Sequence, residues 1–433
     1  FSVGHGSAGA YDSAQSNAAM PVLYVDSAPP TDEVLDVKGV TVSPRATEAT
    51  IKVTSNKTWK VRNHDEWIKS FTPAGEGNGE IKVTFDEYTS TTADRTASFM
   101  IVGETTNLVI ELTQLMVPAK STIDELGLGK YCGTEGIVVA AGNDGGYVLA
   151  DETSVVFVYQ KNHGRVVGDK LYVEGNVLRS SGYNTNPIQI TPMYTEELSK
   201  NNAWTYNPKT LDGAALDALV GNDASCEEVL VKGKLSVSGK YVNLAVNGAE
   251  KQGSIKYMLA ADYSDLHGAH VVVKGYTVGT YNYLNILPYS VEIDPDVVVE
   301  PVDVTIAEFK ALKNTTKYDF FRVTGTIKSI SENDITIQAG SDELLISDIK
   351  DAPATLVVGD ILTVVGNWGA EAMVNGKYES HRNAPELTIA TTATVPATAT
   401  SYTLEILSNV AWTAEASAGV TLDKTSGTGN ASV

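Results

Sequence analysis

The sequence predicts an all-β protein made of several small modules. A pattern built around a pair of glycines occurs three times along the 433 residues. Val, Ile, Thr and Tyr are frequent, whereas leucine-rich helical periodicity is scarce, which favours strands over helices. The chain contains 20 Tyr, 37 Gly and 15 Pro, a mixture typical of short strands that are separated by tight turns.

The three copies of the glycine pattern have nearly the same internal spacing. The two glycines of each pair lie 39, 42 and 41 residues apart in chain order and stand in similar β-branched runs. The pairs are Gly136 and Gly175, Gly233 and Gly275, and Gly325 and Gly366. This regularity indicates a tandem repeat of one β module, with copies expected at 118–200, 201–298 and 299–391.

The third copy shows the expected design of the module most clearly. A helix is predicted at Ile306–Leu312, followed by strands at Phe320–Ile330, Asp334–Ala339, Glu343–Ser347, Ile361–Asn367 and Glu386–Ala390. An interior glycine weakens a strand unless the strand has to bend sharply. Five strands with a long, bent first strand therefore predict an OB-fold-like five-stranded barrel in each of the three repeats.

Residues 37–117 show a different pattern. Apolar and polar residues alternate in Ala49–Thr54 and again in Glu80–Phe85, and Gly-rich turns separate such segments. Several short alternating strands predict an immunoglobulin-like β-sandwich. Residues 1–36 are small and polar, which predicts a linker or leader.

The sandwich segment resembles a known family, the BACON domain. The resemblance rests on residues spread over 37–117: Ser55, Asn56, Trp59, Trp67, Ile68, Gly75, Gly77, Asn78, Arg95, Ala97, Thr113 and Gln114. A truncated second copy is predicted at 392–433, with Ser408, Asn409, Trp412 and Asn430 at matching places. We expect Trp59 and Trp412 to fill the sandwich cores, because an indole beside a strand start is usually buried.

The family resemblance implies location and ligand class. The family's name stands for Bacteroidetes-associated, carbohydrate-binding, often N-terminal, and the three repeats resemble OB-like domains of Bacteroidetes surface lipoproteins. This implies an extracytoplasmic protein, at the cell surface as an outer-membrane lipoprotein or secreted, whose partner is a glycan or glycoprotein. A lipid anchor would lie outside the given chain, which starts at Phe1 and stops within a recognisable pattern.

Charge argues against a nucleic-acid partner. The chain carries 53 acidic and 32 basic residues, a formal net charge of −21, and each repeat has more Asp and Glu than Lys and Arg. Binding to phosphate backbones requires clustered cations. No run of about 20 apolar residues could cross a membrane. With only two cysteines, Cys132 and Cys226, a disulfide scaffold is excluded; two buried thiols are expected, and a single Cys132–Cys226 bridge is the alternative.

Sugar binding requires flat aromatic faces beside hydrogen-bonding side chains. Aromatic residues in predicted loops are therefore the candidate ligand-binding residues: Tyr183, Trp204, Tyr206, Tyr281, Tyr283, Trp368 and Tyr378. The alternative is that these rings cover contacts between modules or the open ends of the barrels.

Catalytic motifs are absent from the sequence. His267 and His270 are the closest histidines, and neither Cys nor an acidic pair completes a metal site beside them. No Gly-x-Ser-x-Gly, phosphate-binding loop or His-Glu-x-x-His occurs. We expect no enzyme, no metal and no cofactor. The leading function hypothesis is a non-catalytic glycan-binding protein. The alternative is a spacer without its own ligand, and the third hypothesis is single-stranded nucleic-acid binding by the repeats.

Overall fold

The computed structural model describes residues 2–4, 22–24, 32–179, 185–222 and 224–433. Most of the predicted leader at 1–36, and Tyr183, lie outside these residues. A short antiparallel pair joins β1 (Ser2–Gly4) and β2 (Val22–Tyr24). Within the described residues the chain forms three closed five-stranded barrels and several further sheets, which confirms the predicted fold class.

The sandwich consists of two antiparallel-rich sheets. Its strands are β3 (Leu35–Val37), β4 (Val40–Val42), β5 (Glu48–Ser55), β6 (Thr58–Arg62), β7 (Ile68–Phe71), β8 (Ala74–Glu76), β9 (Gly79–Phe85), β10 (Arg95–Val102) and β11 (Asn107–Gln114). One sheet has the order β4-β11-β10-β6-β8 and the other β3-β5-β9-β7. Burial alternates residue by residue along β5, so every second side chain enters the shared core.

The three barrels share one sequence of elements: a short strand, a helical turn and five longer strands. The first contains β12 (Lys120–Ser121), a 3-10 helix (Ile123–Glu125), β13 (Tyr131–Ala141), β14 (Tyr147–Ala150), β15 (Val155–Val158), β16 (Lys170–Arg179) and β17 (Ile188–Ser199). The second contains β18 (Lys209–Leu211), α1 (Gly213–Leu219), β19 (Glu228–Ser238), β20 (Tyr241–Ala245), β21 (Gln252–Ile255), a 3-10 helix (Ala260–Leu266), β22 (His270–Gly279) and β23 (Leu284–Ile293).

The third barrel contains β24 (Val302–Asp303), α2 (Ile306–Ala311), β25 (Phe321–Ser331), β26 (Asp334–Ala339), β27 (Asp342–Ile346), β28 (Ile361–Gly369) and β29 (Ala372–Arg382). The C-terminal sheets contain β30 (Leu387–Ile389), β31 (Glu405–Ser408), β32 (Ala411–Thr413), β33 (Ser426–Thr428) and β34 (Ala431–Ser432). Thr305 caps α2, because its side chain accepts from the backbone of Glu308 while Glu308 accepts in return.

Strand pairing is identical in the three barrels. Around the first barrel the order is β13-β14-β15-β17-β16, and β16 pairs with β13 to close the ring. β15 and β17 run parallel, and the other barrel pairs are antiparallel. The short strand before each helical turn runs parallel to the long first strand.

The first glycine of each pair occupies an equivalent place. Gly136, Gly233 and Gly325 each pair with the second residue of the fourth barrel strand, and each faces a carbonyl oxygen of the second strand. A Cβ atom at Gly136 would lie 2.6 Å from the Ala150 oxygen, and one at Gly233 would lie 2.5 Å from the Ala245 oxygen. Only a residue without a side chain permits this close approach of the bent strand.

One strand prediction is wrong. The fifth strand of the third barrel is β29 (Ala372–Arg382), not Glu386–Ala390, because β29 pairs with both β28 and β27. Two register shifts between β28 and β29 interrupt the alternation that would have marked this strand in the sequence. Leu387–Ile389 pairs instead with β31 of the C-terminal sheets.

A buried apolar interface joins the first two barrels. The outward-facing side chains of β13, β14 and β15 form a second core with residues of the second barrel, so β14 is buried on both faces. This cluster comprises Val139, Ala140, Val148, Ala150, Phe157, Cys226, Tyr276, Val278 and Leu287. Phe157 stacks on Tyr257 with the ring centroids 5.0 Å apart. Cys132 and Cys226 are free, buried thiols, as predicted.

Equivalent hydrogen bonds occur within the sandwich and within the C-terminal sheets. The Trp59 indole donates to the Gly77 carbonyl at 2.9 Å, and the Trp412 indole donates to the Gly429 carbonyl at the same distance. Asn78 accepts from the Ser55 backbone as Asn430 accepts from Ser408. Both indoles are buried, as expected from the sequence, at 2% and 5% exposure.

Candidate functional site

A cleft on the first barrel combines a predicted aromatic residue with charged side chains. Its volume is about 620 Å³, within the range of small-molecule sites. Trp204, from the segment that follows β17, forms one wall. The polar lining comes from four other places in the barrel and includes Lys120, Glu135, Asp151, Glu152 and Lys170.

The barrel strands fix the positions of these polar groups. Glu135 precedes the bend at Gly136, and its carboxylate lies 2.6 Å from the ammonium group of Lys120 on the neighbouring strand. Asp151 closes the turn between β14 and β15, where it accepts from the backbone N–H groups of Ile123, Thr153 and Ser154. Burial raises the pKa of Asp151, but the hydrogen bond from the Thr153 hydroxyl and these backbone hydrogen bonds together outweigh it and lower the pKa overall. The cleft therefore offers fixed acceptors and donors beside an indole.

Trp204 and Tyr206 also contribute to the interface between the first two barrels. Both are half-buried and pack against the second core described above. The Tyr206 hydroxyl donates to the Val139 carbonyl at 3.0 Å, and its ring lies 4.1 Å from that of Tyr289. Tyr206 is thus held between the barrels, whereas Trp204 also borders the open cleft.

The other predicted aromatic residues are distributed over different modules. Tyr281 and Tyr283 follow β22 and are 48% and 43% exposed. Trp368 and Tyr378 lie on β28 and β29, not in a loop, and both pack against the core of the third barrel. Tyr183 falls outside the described residues. The structure therefore does not bring the six described candidates into one site.

The Tyr378 side chain borders a second recess, on the third barrel. This groove has a volume of about 440 Å³ and is lined by residues that include Glu300, Phe320, Arg322, Lys377, Tyr378 and Glu379. The Tyr378 hydroxyl lies 2.9 Å from the His381 imidazole Nδ1. Sequence reasoning missed Arg322 and Glu379, although Arg322 stands where the other repeats have Gly133 and Leu230.

The residues that carry the sandwich resemblance have structural roles. The Arg95 guanidinium lies 4.2 Å from the Trp67 ring centroid and 4.5 Å from that of Tyr88. It also donates to the Gln114 side chain, which in turn donates to the Ala46 carbonyl. These contacts tie the last strand to the start of the sandwich and leave these side chains little freedom to bind a ligand.

The described residues contain neither a metal-binding cluster nor a membrane-spanning helix. No group of three or more His, Cys, Asp or Glu side chains among them lies close enough to hold a metal ion. No helix in that part of the chain is long and apolar enough to cross a membrane.

Comparison with protein families identifies one segment. Residues 57–115 match the model of the BACON family, described as a putative binding domain, N-terminal. The matched segment begins just before β6 of the sandwich and ends just after β11. A comparison with curated proteins gives no match.

Matches to solved structures cover only part of this chain, and their sequence identity is low. A Bacteroides ovatus GH5 xyloglucanase in complex with a XXXG heptasaccharide is 19% identical over 28% of this chain and 30% of its own, with a TM-score of 0.18. The periplasmic chaperone SfaE is 14% identical over 34% of this chain and 93% of its own, with a TM-score of 0.17. The YadV chaperone is 12% identical over 39% of this chain and 100% of its own, with a TM-score of 0.16. None of these scores indicates a shared overall fold.

Proposed function

We propose that this protein is a non-catalytic, modular binding protein that recognises glycans or glycoproteins outside the cytoplasm. In this proposal it is displayed at the cell surface as a lipoprotein or secreted. The match to a family described as a putative binding domain supports a binding role for the sandwich segment. The acidic surface and the modular all-β design suit such a protein.

The Trp204 cleft is the observation that carries the proposal. Sugars present apolar C–H faces and a ring of hydroxyl groups, so a site for them needs an aromatic wall and polar groups of both kinds. The cleft has the Trp204 indole, the ammonium groups of Lys120 and Lys170 and the carboxylates of Glu135 and Glu152. Two further carboxylates line the cleft, so four anionic groups stand beside two cationic ones, which disfavours a polyanion and leaves a hydroxylated ligand as the better match.

We further propose that the C-terminal sheets are a second BACON copy. The duplicated hydrogen bonds support this assignment. In addition to the indole contacts, the Asn56 side chain accepts from the Val34 backbone as Asn409 accepts from Glu386. The Ser55 and Ser408 hydroxyls donate to the carbonyls of Lys57 and Val410, both at 3.0 Å.

We propose that the three barrels are OB folds. Their five-stranded closure and bent first strands support this assignment. OB folds bind ligands across the second and third strands. In the first barrel that face is β14 and β15, and the second barrel covers it. Any ligand of the first barrel therefore has to bind elsewhere, and the Trp204 cleft is such a place.

One observation favours the alternative of a spacer without its own ligand. Trp204 and Tyr206 both pack into the interface between barrels, which is the role expected of aromatic residues that only join modules. A spacer would keep these contacts and bind no glycan. Glycan binding is therefore the measurable property that separates the proposal from the spacer alternative.

The test uses the full chain on arrays of plant, host and mucin glycans, followed by calorimetric titration of each hit. Trp204→Ala and Glu152→Gln should each weaken binding at least tenfold, because they remove the aromatic wall and an exposed charge of the cleft. Glu196→Gln, an exposed carboxylate outside the cleft in the same barrel, should leave it unchanged. Absence of binding to every glycan would favour the spacer, and salt-sensitive binding of single-stranded DNA would favour a nucleic-acid partner.

A further inference from the structure

The groove on the third barrel corresponds to a surface that is covered in the other two barrels. The glycine register aligns Phe320 and Arg322 with Tyr131 and Gly133 of the first barrel, and with Glu228 and Leu230 of the second. A proline lies just before the short lead-in strand in each barrel: Pro118, Pro208 and Pro301.

In the first barrel, the sandwich covers this surface. The Arg45 guanidinium lies 3.4 Å from the carboxylate of Glu174, which stands opposite Gly133 in the strand register. It also lies 5.6 Å from the Tyr194 ring centroid. The surface of the first barrel is therefore occupied by a side chain of the preceding module.

In the second barrel, the connecting segment covers the same surface. The Tyr206 ring packs on Tyr289, and the Tyr289 hydroxyl donates to the Glu228 carboxylate at 2.7 Å. The backbone N–H of Asn207 donates to the other oxygen of Glu228 at 2.9 Å. In the first and second barrels alike, this surface is covered by a planar group, the Arg45 guanidinium or the Tyr206 ring, beside polar groups.

In the third barrel, the preceding module docks beside the groove instead of over it. The second barrel contacts the loop before β25, where Lys234 lies 3.2 Å from Asp319 and the Tyr318 hydroxyl donates to the Asp265 carbonyl at 2.9 Å. The groove remains open, with a volume of about 440 Å³.

The groove contains a rigid planar set of polar groups. The Arg322 guanidinium donates to both carboxylate oxygens of Glu379, at 2.6 and 2.8 Å, and to Asp303 at 2.8 Å. A bidentate pair of this kind fixes both side chains and leaves further acceptor sites on the carboxylate. Hydrogen bonding from Arg322 lowers the pKa of Glu379, so the carboxylate remains an acceptor near neutral pH.

The charges in the groove select among ligand classes. The cations Arg322 and Lys377 stand beside the anions Glu300 and Glu379, and the half-buried rings of Phe320 and Tyr378 provide apolar faces. A phosphate or a uronic acid would require uncompensated cations. A neutral ring with vicinal hydroxyls matches alternating donors and acceptors beside aromatic faces.

We infer that this groove is a second binding site, for a neutral hexopyranose unit of a glycan. The inference rests on the proposed function for its ligand class, but not on the Trp204 cleft. Arg322 and Glu379 bind hydroxyl groups, and Tyr378 provides the apolar face. With two separate sites, one chain would bind a long glycan at two points, which strengthens binding when both are reached together.

The test titrates the full chain with neutral gluco-, manno- and galacto-oligosaccharides and with oligogalacturonate. Arg322→Lys keeps the charge but removes the bidentate geometry, and Glu379→Gln keeps the shape but removes the charge. Each should weaken binding of a neutral oligosaccharide at least tenfold. Glu343→Gln, an exposed carboxylate on β27 of the same barrel, should not change it.

The outcomes separate this inference from the proposed function. Binding that is lost in Trp204→Ala but unchanged in Arg322→Lys and Glu379→Gln would retain the proposed function and overturn the second site. Preferential binding of oligogalacturonate would overturn the neutral ligand class. If the Arg322 variant melts early, Glu379→Gln, at an exposed carboxylate of the groove, carries the test with the same tenfold expectation. Absence of binding to every oligosaccharide would overturn both.

Discussion

The guanidinium of Arg45 in the sandwich lies 3.4 Å from the carboxylate of Glu174 in the first barrel. The Glu174 side chain is fully buried, and the hydroxyls of Tyr131 and Tyr172 donate to it at 3.2 and 2.9 Å. Burial lowers the pKa of Arg45, but the charge of Glu174, the hydrogen bond to it and the neighbouring tyrosines together outweigh this effect and raise the pKa overall. One buried carboxylate therefore joins two modules.

Removing Arg45 should weaken this junction. Arg45→Ala leaves a buried carboxylate with only hydroxyl donors, which is unfavourable. Because the Arg45 side chain is 36% exposed, solvent screens the pair, and we expect a loss of about 1–2 kcal/mol in the free energy of unfolding. Calorimetry measures it, with the exposed Arg62→Ala as control. An unchanged unfolding profile would show that the pair does not hold the modules together.

Substituting Gly136 should destabilise the first barrel. A Cβ at this position would lie 2.6 Å from the Ala150 carbonyl oxygen, a backbone atom that cannot rotate away. Gly→Ala generally gains about 0.4–1 kcal/mol by restricting the unfolded chain, but overpacking costs about 1–3 kcal/mol, so the clash prevails. Chemical denaturation should show Gly136→Ala to be the less stable protein. Gly127→Ala, whose Cβ would lie no closer than 3.4 Å to a flexible lysine carbon, should be nearly neutral.

Polar substitutions should uncouple the first two barrels. Val148 and Phe157 pair across β14 and β15, and the second barrel has Asn243 and Ser254 at the corresponding places. The double variant Val148→Asn, Phe157→Ser therefore gives the first barrel the polar face of the second. Because the variant buries less apolar surface between the barrels, we expect the two barrels to unfold in two calorimetric transitions, where the unchanged protein shows one. Tyr241→Ala, on the exposed face of the second barrel, should leave that transition intact.

Acid should remove the contribution of Glu33 to stability. Its carboxylate accepts from the backbone N–H groups of Glu104, Thr105 and Thr106. The hydrogen bond from the Thr105 hydroxyl, with these backbone bonds, outweighs desolvation and lowers the pKa of Glu33 to about 2. A lowered folded-state pKa stabilises the fold above the unfolded value of about 4.3, and this contribution is lost as pH falls towards 2.

Glu33→Gln should therefore melt at a lower temperature than the unchanged protein at pH 7, and the difference should shrink between pH 4.5 and pH 2.5. Glu76→Gln, at an exposed position in the same sandwich, provides the control. A melting difference that stays constant over this range would mean that the Glu33 carboxylate is not ionised and bound as described.

The repeats and the sandwich were predictable because their signals are local. Glycine spacing marks where a strand bends, and alternation in β5 marks a half-buried strand. The burial of the outer face of β14 between the first two barrels was not predicted, although Tyr147–Ala150 lacks the polar residue that Asn243 provides in the second barrel. The fifth strand of the third barrel was misplaced because bulges break its period.

The candidate site was less predictable for a physical reason. A loop aromatic such as Tyr206 has the same sequence signature whether its ring faces solvent or a neighbouring module. Only the pairing of modules decides this, and it depends on residues far away in the chain, such as Val139 and Tyr289. Trp368 was expected in a loop, but it lies on a strand that the sequence pattern ended too early.

The apolar pair of Val148 and Phe157 has a consequence for how such chains can be rearranged. The same two positions hold Asn243 and Ser254 in the second barrel, and Thr336 and Leu345 in the third. Each repeat is consequently matched to its own neighbour, although all three have the same strand order. Exchanging the first and third barrels by recombination would expose Val148 and Phe157 to water and would place Thr336 and Leu345 against Tyr276, so the order of the barrels along the chain matters as well as their fold.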